Sequence, residues 1–288
     1  MKSELNQKTE PIQIEDYPLD EAIQEANEPI TYKYLKHFNR NAGILHLIQG
    51  ILMVFLGSIL DFSREIYTTY VDFQFNDDTL EFELVPTPQE IFVFESLGIY
   101  VGAFLLISAI AHLLIAYPLN KKYNEYMDRH INPFRWMEYS ISSSIMVVLI
   151  AIFFSVVDYW SLVMIFFLNF NMIMFGLMME LHNEYTEKTK WTGYILGWIS
   201  GIIPWIVITA YFYGVSNNLG EGPPDFVYYI YWTQVILFNG FAFNMLLQYL
   251  KVGPWKNYLF GERVYIILSL VAKTMLAWIV FIGVLQPD

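Results

Sequence analysis

The sequence predicts an all-α membrane protein, a seven-transmembrane helix bundle whose N-terminus is cytoplasmic. Two observations predict this fold. Of the 288 residues, 56% are hydrophobic and only 15% are charged, whereas charged residues make up about a quarter of a typical soluble domain. Seven apolar stretches are also about 20 residues long or longer, which is the length that a bilayer-spanning helix needs. These stretches are 41–60, 91–118, 133–156, 159–181, 191–213, 226–249 and 259–285.

The composition also excludes several kinds of site and partner. The chain has no cysteine, so disulfides, zinc–thiolate sites and cysteine nucleophiles are excluded. Its formal net charge of −12 disfavours nucleic acid as a partner.

The N-terminal residues 1–32 differ from the rest of the chain. They are polar and acidic, and they lack the apolar core of a secretory signal. We therefore expect a disordered or loosely docked cytoplasmic tail, followed by a membrane domain over residues 33–288.

The distribution of Lys and Arg predicts the orientation of the spans. Of the 16 basic residues, 14 belong to the side with the N-terminal segment and the loops after the second, fourth and sixth stretches, when Arg135 and Arg263 at the starts of the following stretches are counted with those loops. The opposite side has only Arg64, and Lys273 lies inside the seventh stretch. Because basic loops stay in the cytoplasm, we expect a multi-pass protein of the cell membrane, with its N-terminus cytoplasmic and its C-terminus outside.

The outer loop between the first two spans, about 61–90, has a strand pattern. Residues 71–75 and 80–84 alternate apolar and polar side chains around the turn-forming sequence 76–79, which predicts a β-hairpin. Its apolar face needs a cover, either the outer surface of the same chain or a second copy. That face comprises Val71, Phe73, Phe75, Leu80, Phe82 and Leu84.

Four ionisable residues are predicted to lie within the membrane, where such groups are costly and usually functional. They are His46, His112, Glu138 and Lys273. Counted along their helices, the two histidines and Glu138 lie at a similar depth in the cytoplasmic half. Gln49 and Ser108 share helix faces with the histidines, so we expect a small hydrated cavity in the interior of the bundle.

Lys273 near the middle of the seventh span admits two interpretations. A desolvated amine can form a Schiff base with an aldehyde, and the charged product would still need Glu138. Alternatively, Lys273 and Glu138 form a plain structural ion pair between two helices. Spacing alone leaves both open, and seven spans with one lysine in the middle of the last favour a retinal protein.

Three segments resemble the heliorhodopsins, a branch of the microbial rhodopsins with inverted topology. They are residues 136–146 (WMEYSISSSIM), 175–180 (FGLMME) and 261–273 (GERVYIILSLVAK). The resemblance extends over residues 33–285 and leaves out the acidic tail.

The resemblance implies all-trans retinal bound covalently to Lys273, with Glu138 as counterion and Ser269 beside the Schiff base. It also implies a homodimer and a polar cavity that handles protons. The alternative for the two histidines is an ordinary packed position in the core, and their spacing predicts no metal site. The residues of that cavity are His46, His112, Gln49, Ser108, Asn132 and Tyr139. Other side chains are expected to enclose the retinal, with ordinary helix packing as the alternative for each: Asn169, Met172, Gly176, Trp198, Trp232, Phe238 and Phe241.

Two positions argue against ion pumping. Related proton pumps place one carboxylate 11 residues after the counterion and another four residues before the lysine, where this chain has Leu149 and Ser269. The sequence therefore favours a non-pumping photoreceptor, not an enzyme, that acts on an unknown cytoplasmic partner. A light-gated proton or ion channel and a light-dependent regulator of a partner enzyme remain alternatives.

Overall fold

The computed structural model describes residues 30–60, 62–219 and 225–284. Within them, seven helices are long and apolar enough to cross a membrane, as the sequence predicts. The spans are α1 (Tyr32–Gly57), α2 (Leu97–Ala116), α4 (Pro133–Phe153), α5 (Tyr159–Asn183), α6 (Thr192–Leu219), α7 (Asp225–Tyr249) and α8 (Tyr258–Val284). Three further elements complete the description: a short helix α3 (Asn120–Asp128), a 3-10 helix (Gly253–Lys256), and a hairpin of β1 (Ser63–Asn76) and β2 (Glu81–Glu95).

Side-chain caps define where several spans begin. Thr31 accepts a hydrogen bond from the Tyr34 amide at 3.1 Å, and Asn132 accepts one from the Arg135 amide at 3.1 Å. Such caps satisfy amides that the first helical turn leaves without partners. Thr31 and the buried Ile30 are the first residues described, so most of the predicted acidic tail lies outside the described residues.

Two predicted boundaries and one missing element need correction. The helix α1 begins at Tyr32, well before residue 41. The second span was expected to start at residue 91, but residues up to Glu95 belong to β2 and α2 starts at Leu97. The helix α3, an amphipathic helix whose Tyr123 and Met127 are buried, was not predicted from the sequence.

The predicted hairpin is present and is longer than expected. Its strands pair antiparallel, with a bulge at Ile66/Tyr67. The base is fixed to the turn between α4 and α5, because the Tyr67 amide donates to the Val157 carbonyl at 2.9 Å. Ile66 and Phe94 at this base are buried.

The outer part of the hairpin is not covered by the described part of the same chain. All six residues of the predicted apolar face are at least 49% exposed. Of the two covers that the sequence allowed, the chain's own outer surface does not cover this face within the described residues.

The first two spans pack closely along a row of glycines. Gly43, Gly50 and Gly57, spaced by seven residues, all face α2. A Cβ on Gly57 would meet backbone atoms of Gly98, including its nitrogen at 2.8 Å. This close approach brings the polar residues of α1 and α2 next to each other.

Candidate functional site

Lys273 and Glu138 form a buried ion pair in the interior of the bundle. Lys273 Nζ lies 2.7 Å from Glu138 Oε1, and the two residues are 3% and 9% exposed. Ser108 Oγ accepts from Lys273 Nζ at 2.5 Å and donates to Glu138 Oε1 at 2.6 Å. Three spans, α2, α4 and α8, therefore meet at one charged group.

The side chains overcome a difference in depth between the two residues. Glu138 is close to the start of α4, whereas Lys273 is in the middle of α8. Closer to the starts of both helices, Arg135 of α4 pairs with Glu262 of α8. From one pair to the other, α8 advances eight residues more than α4, or about 12 Å of helix. The long side chains of Arg135 and Lys273 take up this difference.

The two predicted histidines lie together, as their positions indicated. The rings of His46 and His112 stack with centroids 5.7 Å apart, and both residues are buried. His112 Nδ1 lies 2.7 Å from Asn39 Oδ1 of α1. Within the described part of the chain, both ring nitrogens of His46 and Nε2 of His112 lack hydrogen-bond partners.

The other predicted polar residues surround this layer. Gln49 Oε1 accepts from Thr274, the residue after Lys273, at 3.1 Å. Ser269 is fully buried, one turn before the lysine. A cavity of about 20 Å³ borders Glu138, with His112, Asn132, Tyr139 and Arg135 in its wall. Because a water needs roughly 10–15 Å³, this cavity has room for one.

A larger, apolar cavity of about 290 Å³ lies between α4, α5, α6, α7 and α8. Its wall extends from Gly193 to Trp205 along α6, about 18 Å of helix. Tyr139 belongs to this wall, and Lys273 Nζ lies 5.0 Å from the centre of the Tyr139 ring. The buried amine therefore lies next to one wall residue of the apolar cavity.

Most of the side chains expected around a chromophore lie on this cavity. Met172, Gly176, Trp198, Phe238 and Phe241 line it. Trp232 does not, because its side chain is 51% exposed and its neighbour Tyr231 takes that place in the wall. Asn169 lies outside the wall as well, where its amide donates to Ser143 Oγ at 2.8 Å.

The family comparison agrees with this arrangement. The heliorhodopsin family model matches residues 35–285, most of the chain.

The chain belongs to the heliorhodopsin family.

It is therefore a rhodopsin of the retinal photoreceptor type and an integral multi-pass membrane protein, and the family implies a retinal chromophore. No curated protein matches the chain.

The residues of this heliorhodopsin fit an elongated apolar aldehyde such as retinal. The 290 Å³ cavity has mainly apolar walls, which suit a polyene. One of its wall residues, Tyr139, has its ring centre 5.0 Å from the amine of Lys273, the group that can bond to an aldehyde. A carboxylate 2.7 Å from that amine can balance a retained positive charge.

The sequence did not single out several wall residues of this heliorhodopsin. Trp136, Tyr194, Trp205, Tyr231 and Tyr265 line the apolar cavity. The glycines of α6 carried a usable signal, because Gly193, Gly197 and Gly201 recur every four residues and all lie on the cavity wall. That spacing places them on one face of the helix.

The sequence also pointed to Glu138 as the sole deep carboxylate, and the structure corrects this. Glu180 and Glu262 are 2% and 1% exposed. They enclose Arg135, which is 5% exposed and is not free in a cytoplasmic loop as the orientation argument assumed. Arg135 Nη2 lies 2.5 Å from Glu180 Oε1, and its guanidinium also pairs with Glu262.

Proposed function

We propose that this heliorhodopsin is a non-pumping light sensor that holds all-trans retinal covalently on Lys273. The observation that supports this most directly is the position of Lys273. Its amine is buried and paired with Glu138 at 2.7 Å, and it lies 5.0 Å from the ring centre of Tyr139, a wall residue of the apolar cavity. A plain structural ion pair would not need a cavity of that size beside it.

Retinal, once bound, supplies light absorption and an isomerisation that displaces charge at Lys273 Nζ. Glu138 balances the positive charge at Nζ in the dark, and Ser108 orients its carboxylate by donating to Oε1. When the amine moves, the separated charges are no longer compensated, which is costly in a buried site. The proton at Nζ then passes to the polar layer, where His46 and His112 have free ring nitrogens in the described structure.

The proposal excludes a pump because the relay groups are missing. Leu149 is a buried apolar residue on the outer side of Glu138, and Ser269 has no carboxylate. A proton that leaves Nζ therefore remains on the cytoplasmic side. We propose that it changes the cytoplasmic surface, which an as yet unknown signalling partner recognises.

Orientation and assembly complete the proposal. The distribution of basic residues supports a cytoplasmic N-terminus. The exposed apolar face of the hairpin supports a homodimer in which two hairpins cover each other, since exposed apolar patches of this kind usually mark interfaces.

The deciding experiment is expression with all-trans retinal, followed by a visible spectrum before and after hydroxylamine and light. We expect a coloured protein that bleaches, and a colourless Lys273→Ala variant. Lys251→Ala, which changes an exposed loop lysine, is the matched control and should keep the colour. A coloured Lys273→Ala protein, or a colourless wild type, would contradict the proposal.

A further inference from the structure

The cytoplasmic ends of α4, α5 and α8 meet at a buried cluster with unequal charges. It contains one cation, Arg135, and two carboxylates, Glu180 and Glu262. All three residues are at most 5% exposed. If both carboxylates were ionised, the cluster would carry a net charge of −1.

No other cation among the described residues balances this charge. The ion pairs of the described part are Arg129–Glu184, Lys273–Glu138 and the two made by Arg135. The neighbouring cationic or titratable groups Lys251, Lys256 and His130 are exposed to solvent. Arg263, next to Glu262 in sequence, is half-buried, lies over the Phe260 ring at 4.9 Å and makes none of these ion pairs. The phenols of Tyr249, Tyr258 and Tyr265, on α7 and α8, are neutral at pH 7.

A buried, unbalanced carboxylate usually takes up a proton. The hydrogen bonds indicate which one does so here. Glu180 accepts from the Asn132 amide at 2.8 Å, from Trp136 Nε1 at 2.6 Å and from the Tyr258 hydroxyl at 3.4 Å. Apart from Arg135, Glu262 has one donor, Asn132 Nδ2 at 2.7 Å. Since donors favour the ionised form, Glu180 keeps the charge and Glu262 takes the proton.

The cluster also separates two spaces. Glu262 and Arg135 line the 20 Å³ cavity that borders Glu138 and His112. Glu180 and Tyr258 line a separate cleft of about 260 Å³, which also includes the exposed residues Lys251 and Lys256. The three charged residues therefore lie between the polar layer of the chromophore site and the cytoplasmic surface.

We propose that the Arg135–Glu180–Glu262 cluster is a proton-binding site, which holds one proton on Glu262 in the dark and exchanges it with the cytoplasm through this cleft. This proposal deepens the proposed function by naming the group that exchanges protons with the polar cavity. Any role of the cluster in the response to light rests on that proposed function. The proton site itself requires neither light nor retinal, since it follows from charge and contacts alone.

Infrared spectroscopy of the full-length protein in the dark tests the proposal at neutral pH. The wild type should show the C=O stretch of a protonated carboxyl group, shifted downward in D2O. Glu262→Gln should abolish this band. Glu180→Gln should abolish it as well, because Glu262 must then ionise to balance Arg135. Glu125→Gln, which changes an exposed carboxylate of α3, should leave the band in place.

Each contrary result would overturn a specific part of the proposal. A band that survives in Glu262→Gln rules out Glu262 as the proton carrier, and a wild type without the band rules out the bound proton. A band that does not shift in D2O rules out exchange through the cleft. Far-ultraviolet circular dichroism of the same samples reports folding, and their visible spectrum after addition of all-trans retinal reports the chromophore. A colourless wild type that keeps the infrared band would refute the proposed photoreceptor and leave the proton site standing.

Discussion

Lys273 Nζ lies 2.7 Å from Glu138 Oε1, and this buried ion pair joins the last span of the chain to the third. Removal of one partner leaves the other charge buried without compensation, which typically costs about 3–5 kcal/mol. We therefore expect Glu138→Gln to lower the thermal unfolding midpoint of the retinal-free protein in detergent. The double variant Glu138→Gln/Lys273→Met should regain most of that loss, because neither charge remains.

The same substitution should change the colour of the retinal-bound protein. Without the carboxylate, Glu138→Gln should shift the absorption maximum to longer wavelength or deprotonate the chromophore at neutral pH. Glu125→Gln serves as control for both measurements. If the spectrum is unchanged, or if the single and double variants are equally unstable, the pair does not have this role.

Gly176 leaves space that the Trp136 ring occupies. A Cβ at residue 176 would come within 3.0 Å of that ring, and the Trp136 indole is held by its bond to Glu180. Gly176→Ala should therefore destabilise the protein by about 1–3 kcal/mol and weaken retinal binding, measured by titration of absorbance. Gly214→Ala, where a Cβ meets nothing within 4 Å, should change neither stability nor retinal binding. If the two variants lose stability and retinal binding equally, the space at Gly176 is not the reason.

Asp158 caps α5, since its carboxylate accepts from the amide and the hydroxyl of Ser161 at 2.8 and 2.7 Å. Partial burial acts to raise its pKa, but the hydrogen bonds from Ser161 and Thr68 outweigh this and hold the pKa below the ordinary value of 3.8. Asp158→Ala should cost about 0.5–2 kcal/mol at pH 7, measured as thermal stability.

The sign of the pH dependence follows from the lowered pKa. The carboxylate's contribution is complete above the ordinary value and disappears as the pH falls through the folded-state value. The gap between wild type and Asp158→Ala should therefore stay constant from pH 7 down to about pH 5 and narrow in stronger acid. Asp158→Asn keeps a cap acceptor, so it should be less destabilised than the alanine variant at pH 7.

The hairpin face should control assembly. Phe73 and Phe82 stack with ring centroids 5.1 Å apart and are 63% and 61% exposed. We expect Phe73→Glu/Phe82→Glu to convert a dimer into a monomer, as measured by native mass spectrometry. Gln74→Glu changes the opposite strand face and should leave the dimer intact. An unchanged mass for the double variant would place the interface elsewhere.

The orientation can be tested because the chain contains no cysteine. Single cysteines at Thr79, in the hairpin turn, and at Lys122, on α3, are both exposed positions. In intact cells, a membrane-impermeant maleimide should label Thr79→Cys and not Lys122→Cys, and lysis should allow both to react. The reverse pattern would invert the proposed topology.

The sequence was sufficient to predict the spans because burial in a bilayer requires long apolar runs. Their boundaries were harder to predict. Residues 91–94 are apolar and aromatic, which suits a helix or a strand equally; pairing with β1 decides between them, for example Phe94 with Arg64. The direction of Trp232 could not be predicted either, because the apolar residues of α7 are spread around the whole helix and do not mark one face.

Among the charged residues, some contacts could be predicted from the sequence and others could not. Lys273 and Glu138 could be paired from the sequence because they interrupt apolar runs. The contact of Arg135 with Glu180 spans 45 positions, and all three cluster residues lie near predicted span ends, where charges normally contact water. Their burial depends on how α4, α5 and α8 converge, which no local pattern records.

The hydrogen bond from the Tyr67 amide to the Val157 carbonyl limits how the β-hairpin between α1 and α2 can be shortened by engineering. Replacement of residues 71–86 by a tight turn would remove only the solvent-exposed outer part of the hairpin. Its base, which is bonded to Val157, would remain. Excision of the whole β-hairpin would remove Ile66 and Phe94 from the core cluster that they share with Val156. The apolar interior around Val156 would then be exposed to water.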